Sequence, residues 1–150
     1  MKENTFSLKF TVGTVKAISV IFIGLIFSFW KLAELYCKYA YVSFNRDNYL
    51  ALVITFYICS PLAALVLFSI HKFLKNVQNG SIFTAENTKL LRLLSYLCFA
   101  AVPASIPLCF FFAGAFPIPC SAGFMALILR VLKNVFAEGC IIKDENDLTV

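Results

Sequence analysis

Two stretches of the chain carry polar side chains at matching spacing. The first reads Gly80-Ser81-Ile82-Phe83-Thr84-Ala85-Glu86-Asn87. The second reads Gly139-Cys140-Ile141-Ile142-Lys143-Asp144-Glu145-Asn146, followed by Asp147 and Leu148. A glycine can end a helix in left-handed backbone, and a Thr hydroxyl can accept the first free N–H groups of the next helix. A carboxylate in that first turn suits the positive end of the helix dipole. The chemistry on offer is docking through hydrogen bonds and ion pairs at helix ends. The candidate partner-docking residues are therefore Gly80, Ile82, Phe83, Glu86 and Asn87 in the first stretch. In the second they are Gly139, Ile141, Glu145, Asn146, Asp147 and Leu148.

Catalytic chemistry finds little to work with. The one histidine is His71, so no nucleophile–base pair can be named. The cysteines are Cys37, Cys59, Cys98, Cys109, Cys120 and Cys140, with no Cys-x-x-Cys among them. A zinc site needs ligands at short spacing, which this pattern lacks. Cys59, Cys98 and Cys109 read as small buried hydrophobes; Cys37 and Cys120 fall on one side of the topology below and could pair. No glycine-rich phosphate loop occurs. No enzyme is expected, and no catalytic, cofactor or metal residue is assigned.

The elements that position the two stretches are membrane helices. Apolar residues make up 61% of the chain and charged residues 14%, against roughly 45–50% and 25% in soluble domains. A single domain of 150 residues cannot hide that excess in one core. Four apolar runs divide the chain, at about 12–33, 49–70, 93–112 and 119–132. The second is the clearest: Tyr49 to Ile70 holds no charge and would extend about 33 Å as a helix. The charge-free core of the first, Ala17 to Trp30, is short, so Lys16 and Lys31 are expected to snorkel from its ends. Pro61, Pro103 and Pro107 lie inside spans, where a bend is expected. None of the four spans holds Asp or Glu, the residues that proton relays and cation sites in membranes use. Ser60, Ser95, Ser105 and Ser121 read as small residues at helix contacts.

Between the spans, residues 34–48 read as a short connection with interfacial Tyr residues and an Asn45–Asn48 polar turn. Residues 78–84 read as an elbow, and 113–118 as a tight turn. Gly139 is expected to end the fourth helix, leaving a tail over 138–150. In that tail Ile141, Ile142, Leu148 and Val150 are expected to pack near Ile82 and Phe83. Lys72, Lys75 or Lys89 would then meet the acidic groups. Lys31, Lys38 and Arg46 lie on one side of this arrangement and the other ten Lys and Arg on the opposite side. The positive-inside rule then puts both termini in the cytoplasm.

The matched stretches extend backwards. Leu74-Lys75-Asn76-Val77 matches Leu132-Lys133-Asn134-Val135, Pro61 matches Pro119, and Lys72 matches Arg130. This suggests an internal duplication, with one repeat over about 10–87 and another over about 88–150. The fold expected is an all-α integral membrane protein of four transmembrane helices, built as two tandem two-helix repeats within one membrane domain, 1–150.

The Gly80–Asn87 stretch with Leu91-Arg92, and the ending Glu145-Asn146-Asp147-Leu148-Thr149-Val150, resemble the bacterial membrane family called domain of unknown function 2975. The likeness covers nearly the whole chain. It implies four spans in a bacterial cell membrane and carries no established activity. It also implies a partner, since members are often encoded beside small Xre/Cro-type helix-turn-helix regulators. The expected function is a non-enzymatic membrane tether or regulator of such a transcription factor, with no direct nucleic acid binding. The alternative is a small permease or channel subunit acting as a homo-oligomer. A carrier would need a polar cavity at mid-membrane, whereas a tether would need a structured surface at one end.

Overall fold

The computed structural model describes residues 2–39 and 46–148, without the side chains of 2–7, 37, 46, 47, 147 and 148. All regular structure in the described residues is helical. Helix α1 runs Lys2–Tyr39, α2 Arg46–Gln78, α3 Ala85–Phe111 and α4 Pro117–Leu148, with one 3₁₀ turn at Ala113–Ala115. Each long helix contains a stretch long and apolar enough to cross a membrane. The helices are longer than the apolar runs because the polar flanks continue the same backbone. At about 1.5 Å per residue, all four long helices overrun a hydrocarbon layer of about 30 Å, α1 by the most. Of the connection expected over 34–48, the part to Tyr39 belongs to α1, and α2 has begun by Arg46. The rest, Asn45 included, lies outside the described residues.

Large apolar side chains stand on the outside. Phe27 and Phe110 are each 84% exposed, which water would penalise and lipid would not. Proline interrupts neither α2 nor α3: Pro61, Pro103 and Pro107 all lie inside helix. In the last turns of α3, Ser105 donates back to the carbonyls of Ala101 and Val102.

The helices alternate in direction. The first half of α1 (Lys16, Ser19) lies beside the last half of α2 (Ala64, His71). At the other end Tyr36, Leu52 and Phe111 come together. Backbones touch only between consecutive helices among the described residues: α1 with α2, α2 with α3, and α3 with α4. Helix α1 stands at one edge, and α2 and α4, both packed on α3, meet each other through side chains. Helix α3 takes most of the burial, through Leu90, Leu91, Leu94, Ser95 and Leu97.

Each interface has its own device. Between α1 and α2, Phe29 and Phe56 stack at 3.5 Å between centroids, and the Tyr57 hydroxyl donates to the Ile26 carbonyl at 3.1 Å. Between α3 and α4, small residues let the backbones close in. Ala126 is fully buried, and the Ser95 hydroxyl donates to its carbonyl at 2.9 Å. Such interhelical bonds contribute on the order of 0.6 kcal/mol in lipid. Of the four serines expected at helix contacts, Ser95 alone donates to another helix. Ser60 and Ser121 bond carbonyls of their own helices.

The expected helix stop at Gly139 is not observed. Helix α4 continues through it to Leu148, and Gly80 is the one residue with positive φ among those described. The reason lies in the neighbours. After Gly80 comes Thr84, which can cap a new helix; the matching position after Gly139 is Lys143, which cannot accept an N–H. The continuous helix also separates the second Asn pair. Asn134 and Asn146 lie about 18 Å apart along it, whereas Asn76 and Asn87 hydrogen-bond directly at 2.9 Å. The two matched stretches thus have different local structure.

Candidate docking site at the elbow

The elbow is built from its two helix ends. At the end of α2, Ser81 N–H donates to the Asn76 carbonyl and Gly80 N–H to the Val77 carbonyl, both at 3.1 Å. This is the Schellman arrangement, with Gly80 at φ +77° in the left-handed position. Thr84, in extended backbone, then opens α3 and accepts the Asn87 N–H at 3.3 Å.

Asn87 joins the two ends. It is completely buried. Its Nδ2 donates to the Ser81 carbonyl at 2.8 Å and to the Ile82 carbonyl at 2.7 Å. Its Oδ1 accepts from Asn76 Nδ2, which also reaches the Glu86 carboxylate at 3.3 Å. Every strong group of this amide is thus used, and it gives two loop carbonyls a protein donor. Outside this network, Lys72 Nζ meets Glu86 at 2.7 Å. The bond and charge of Lys72 hold the Glu86 carboxyl below the usual carboxylate range, against a small opposing effect of burial.

An aromatic cluster ties the elbow to α4. Phe136 lies 5.7 Å from Phe73 and 5.5 Å from Phe83, between ring centroids. It is the one ring contact between α2 and α4 among the described residues. Phe83 also covers Gly139, so closely that a Cβ there would lie 2.5 Å from Phe83 Cδ1. One turn away, Thr88 Oγ1 and Cys140 Sγ approach to 3.9 Å.

The structure therefore brings together Gly80, Ile82, Phe83, Glu86, Asn87 and Gly139. Gly139 serves by lacking a side chain, not by turning the chain. The expected packing of the tail on the elbow is corrected: Ile141 and Ile142 are each 59% exposed on a continuing helix. Glu145 and Asn146 lie on the same helical projection. The side chains of Asp147 and Leu148 are outside the described residues, as are Val150 and the Cys37 thiol of the expected Cys37–Cys120 pair. Sequence reasoning missed Asn76, Phe73 and Phe136. Asn76 had a signal, as a conspicuous amide in the matched Leu-Lys-Asn-Val run. The two Phe residues had none amid so many.

Away from the elbow, a groove of about 390 Å³ opens between α2, α3 and α4. Its walls are apolar almost throughout, including Leu62, Val66, Leu97, Ala101 and Ala122, with Ser105 the only hydroxyl. Among the described residues no group of three His, Cys, Asp or Glu side chains is placed to hold a metal ion.

Among the described residues these features define an all-helical protein with four helices fit to cross a membrane and a structured polar elbow. The chain belongs to the family described as Protein of unknown function (DUF2975), which matches residues 27–150. No curated protein and no solved structure matches it.

Proposed function

We propose that the protein is a non-enzymatic membrane partner of a small cytoplasmic helix-turn-helix regulator. The elbow and the projecting end of α4 form the surface that the regulator reads. The supporting observation is where polarity lies. The fixed polar network, Asn76, Asn87, Glu86 and Lys72, sits at one end of the helices, while the groove between α2, α3 and α4 is apolar and the cleft between α1 and α2 is polar only at Lys16, Ser19 and His71. A carrier would need the reverse. The α4 end adds about 14 Å of helix beyond Gly139, bearing exposed Ile141 and Ile142 beside Lys143, Asp144 and Glu145. The charge distribution supports placing this end, and both termini, in the cytoplasm. The paired Leu-Lys-Asn-Val runs on parallel helices support descent of the two halves from one two-helix unit.

The test is co-purification with the helix-turn-helix regulator encoded nearest the gene. Both are expressed together and the membrane protein is purified in mild detergent. The intact chain retains the regulator, and deletion of residues 141–150 releases it while leaving the protein in the membrane. Failure of the intact chain to retain the regulator would overturn the proposal, and retention by the deletion would remove the α4 end from it.

A further inference from the structure

Three cationic side chains converge at one cleft between α3 and α4. Arg92 comes from α3, and Arg130 and Lys133 come from α4; the cleft is completed by Ser95 and Tyr96. No carboxylate lines it. Lys72 pairs with Glu86, whereas no carboxylate among the described residues pairs with these three charges. Their mutual repulsion is weak in open water but stronger beside hydrocarbon, where screening is poorer.

The cleft stands at such a boundary. Arg92 immediately precedes the charge-free run of α3, and Arg130 is the first charge after that of α4. On the hydrocarbon side, one turn from Tyr96 and from Arg130, are Phe99 and Leu127, which are 37% and 56% exposed. A polar, positive mouth thus opens above an uncovered apolar surface. That combination fits an amphiphile with an anionic head.

We propose that this cleft binds the phosphate of an anionic phospholipid, whose acyl chains lie along α3 and α4. Guanidinium groups match phosphate oxygens in forked pairs, and two of them here come from different helices. Ser95 spends its proton on Ala126 and leaves the donor role to Tyr96 and the cations. A choline headgroup brings its own cation and is disfavoured. Free phosphate shares the head chemistry but gains nothing from the apolar surface. The proposal is independent of the regulator reading, because the cleft does not include the elbow.

The experiment is a lipid titration followed by native mass spectrometry on the full chain, delipidated in non-ionic detergent. The probes are dioleoyl phosphatidylglycerol, dioleoyl phosphatidylcholine and inorganic phosphate. The expected result is tighter binding of phosphatidylglycerol than of phosphatidylcholine by about tenfold or more, the worth of one charge-assisted contact. Arg92→Gln with Arg130→Gln removes that preference, Arg92→Lys with Arg130→Lys keeps part of it, and Lys75→Gln leaves it intact. Circular dichroism checks that each variant keeps its helices; Lys133→Gln gives the same reading with a smaller change. Equal binding of the two lipids, an unchanged preference in the Gln double variant, or an equal loss in Lys75→Gln would each overturn the proposal. Full displacement of phosphatidylglycerol by inorganic phosphate would overturn the lipid as the occupant.

Discussion

Phe83 occupies the space that a side chain at Gly139 would need. A Cβ built on Gly139 would lie 2.5 Å from Cδ1 and 2.6 Å from Cε1 of that ring. Glycine inside a helix costs about 1 kcal/mol relative to alanine, so α4 gives up some helical stability where the elbow leans on it. The two residues are therefore expected to be coupled. Gly139→Ala should stabilise the protein by about 1 kcal/mol when Phe83→Ala is already present, and should lose that gain when Phe83 is intact. A double-mutant cycle on thermal or denaturant unfolding in detergent measures the difference. A full gain in both backgrounds would mean that the ring moves aside freely.

The two motif glycines should respond to substitution differently. Gly80 sits at φ +77° with open space around its Cα, so its constraint is backbone conformation. Gly80→Asn should be tolerated, because Asn enters the left-handed region readily, while Gly80→Val should destabilise by about 1–2 kcal/mol. At Gly139 the constraint is space, and Asn should displace Phe83 as any side chain would. Limited proteolysis between Asn79 and Thr84 reports both effects.

Asn87 should be the least replaceable residue of the elbow. Asn87→Ala strands the Ser81 and Ile82 carbonyls and one Asn76 donor, a loss of about 1–3 kcal/mol. Asn87→Asp should be worse, because it sets a carboxylate against two carbonyls that need donors. Unfolding midpoints of the two variants rank them, and hydrogen exchange at residues 80–87 locates the damage.

The Lys72–Glu86 pair gives the elbow a pH dependence of known sign. Lys72 holds the Glu86 carboxyl below the usual range. Its stabilisation is therefore full above the ordinary carboxylate range and is lost as pH falls through the lowered value. Carbon NMR of the Glu86 carboxyl should show a lowered midpoint, and Lys72→Ala should move it back up. Both side chains are about half exposed, so salt should weaken the effect.

The spans and the first elbow were legible in the sequence because each rests on local chemistry. A charge-free run such as Tyr49–Ile70 has few places to go except lipid, and Gly80 followed by Thr84 supplies both the stop and the restart of a helix. The second elbow was misread because glycine carries two meanings. It permits left-handed backbone, and it permits close approach, and only the surroundings decide between them. At Gly139 the deciding neighbour is Phe83, more than fifty residues away in sequence, and spacing cannot reveal it. The same holds for Phe73 and Phe136, whose meeting depends on how α2 and α4 converge. The Arg92, Arg130 and Lys133 cleft was likewise hidden, since each cation alone reads as an ordinary helix-end charge.

The edge position of α1 has a consequence for heredity. Among the described residues the α1 backbone packs on α2 alone, with Tyr36 reaching the end of α3, and the family match begins at Phe27, well inside α1. A change early in α1 falls on the helix farthest from the joint of α2, α3 and α4, so the elbow should tolerate it better than a change in the three inner helices. The chain has one edge open to revision and one edge tied down.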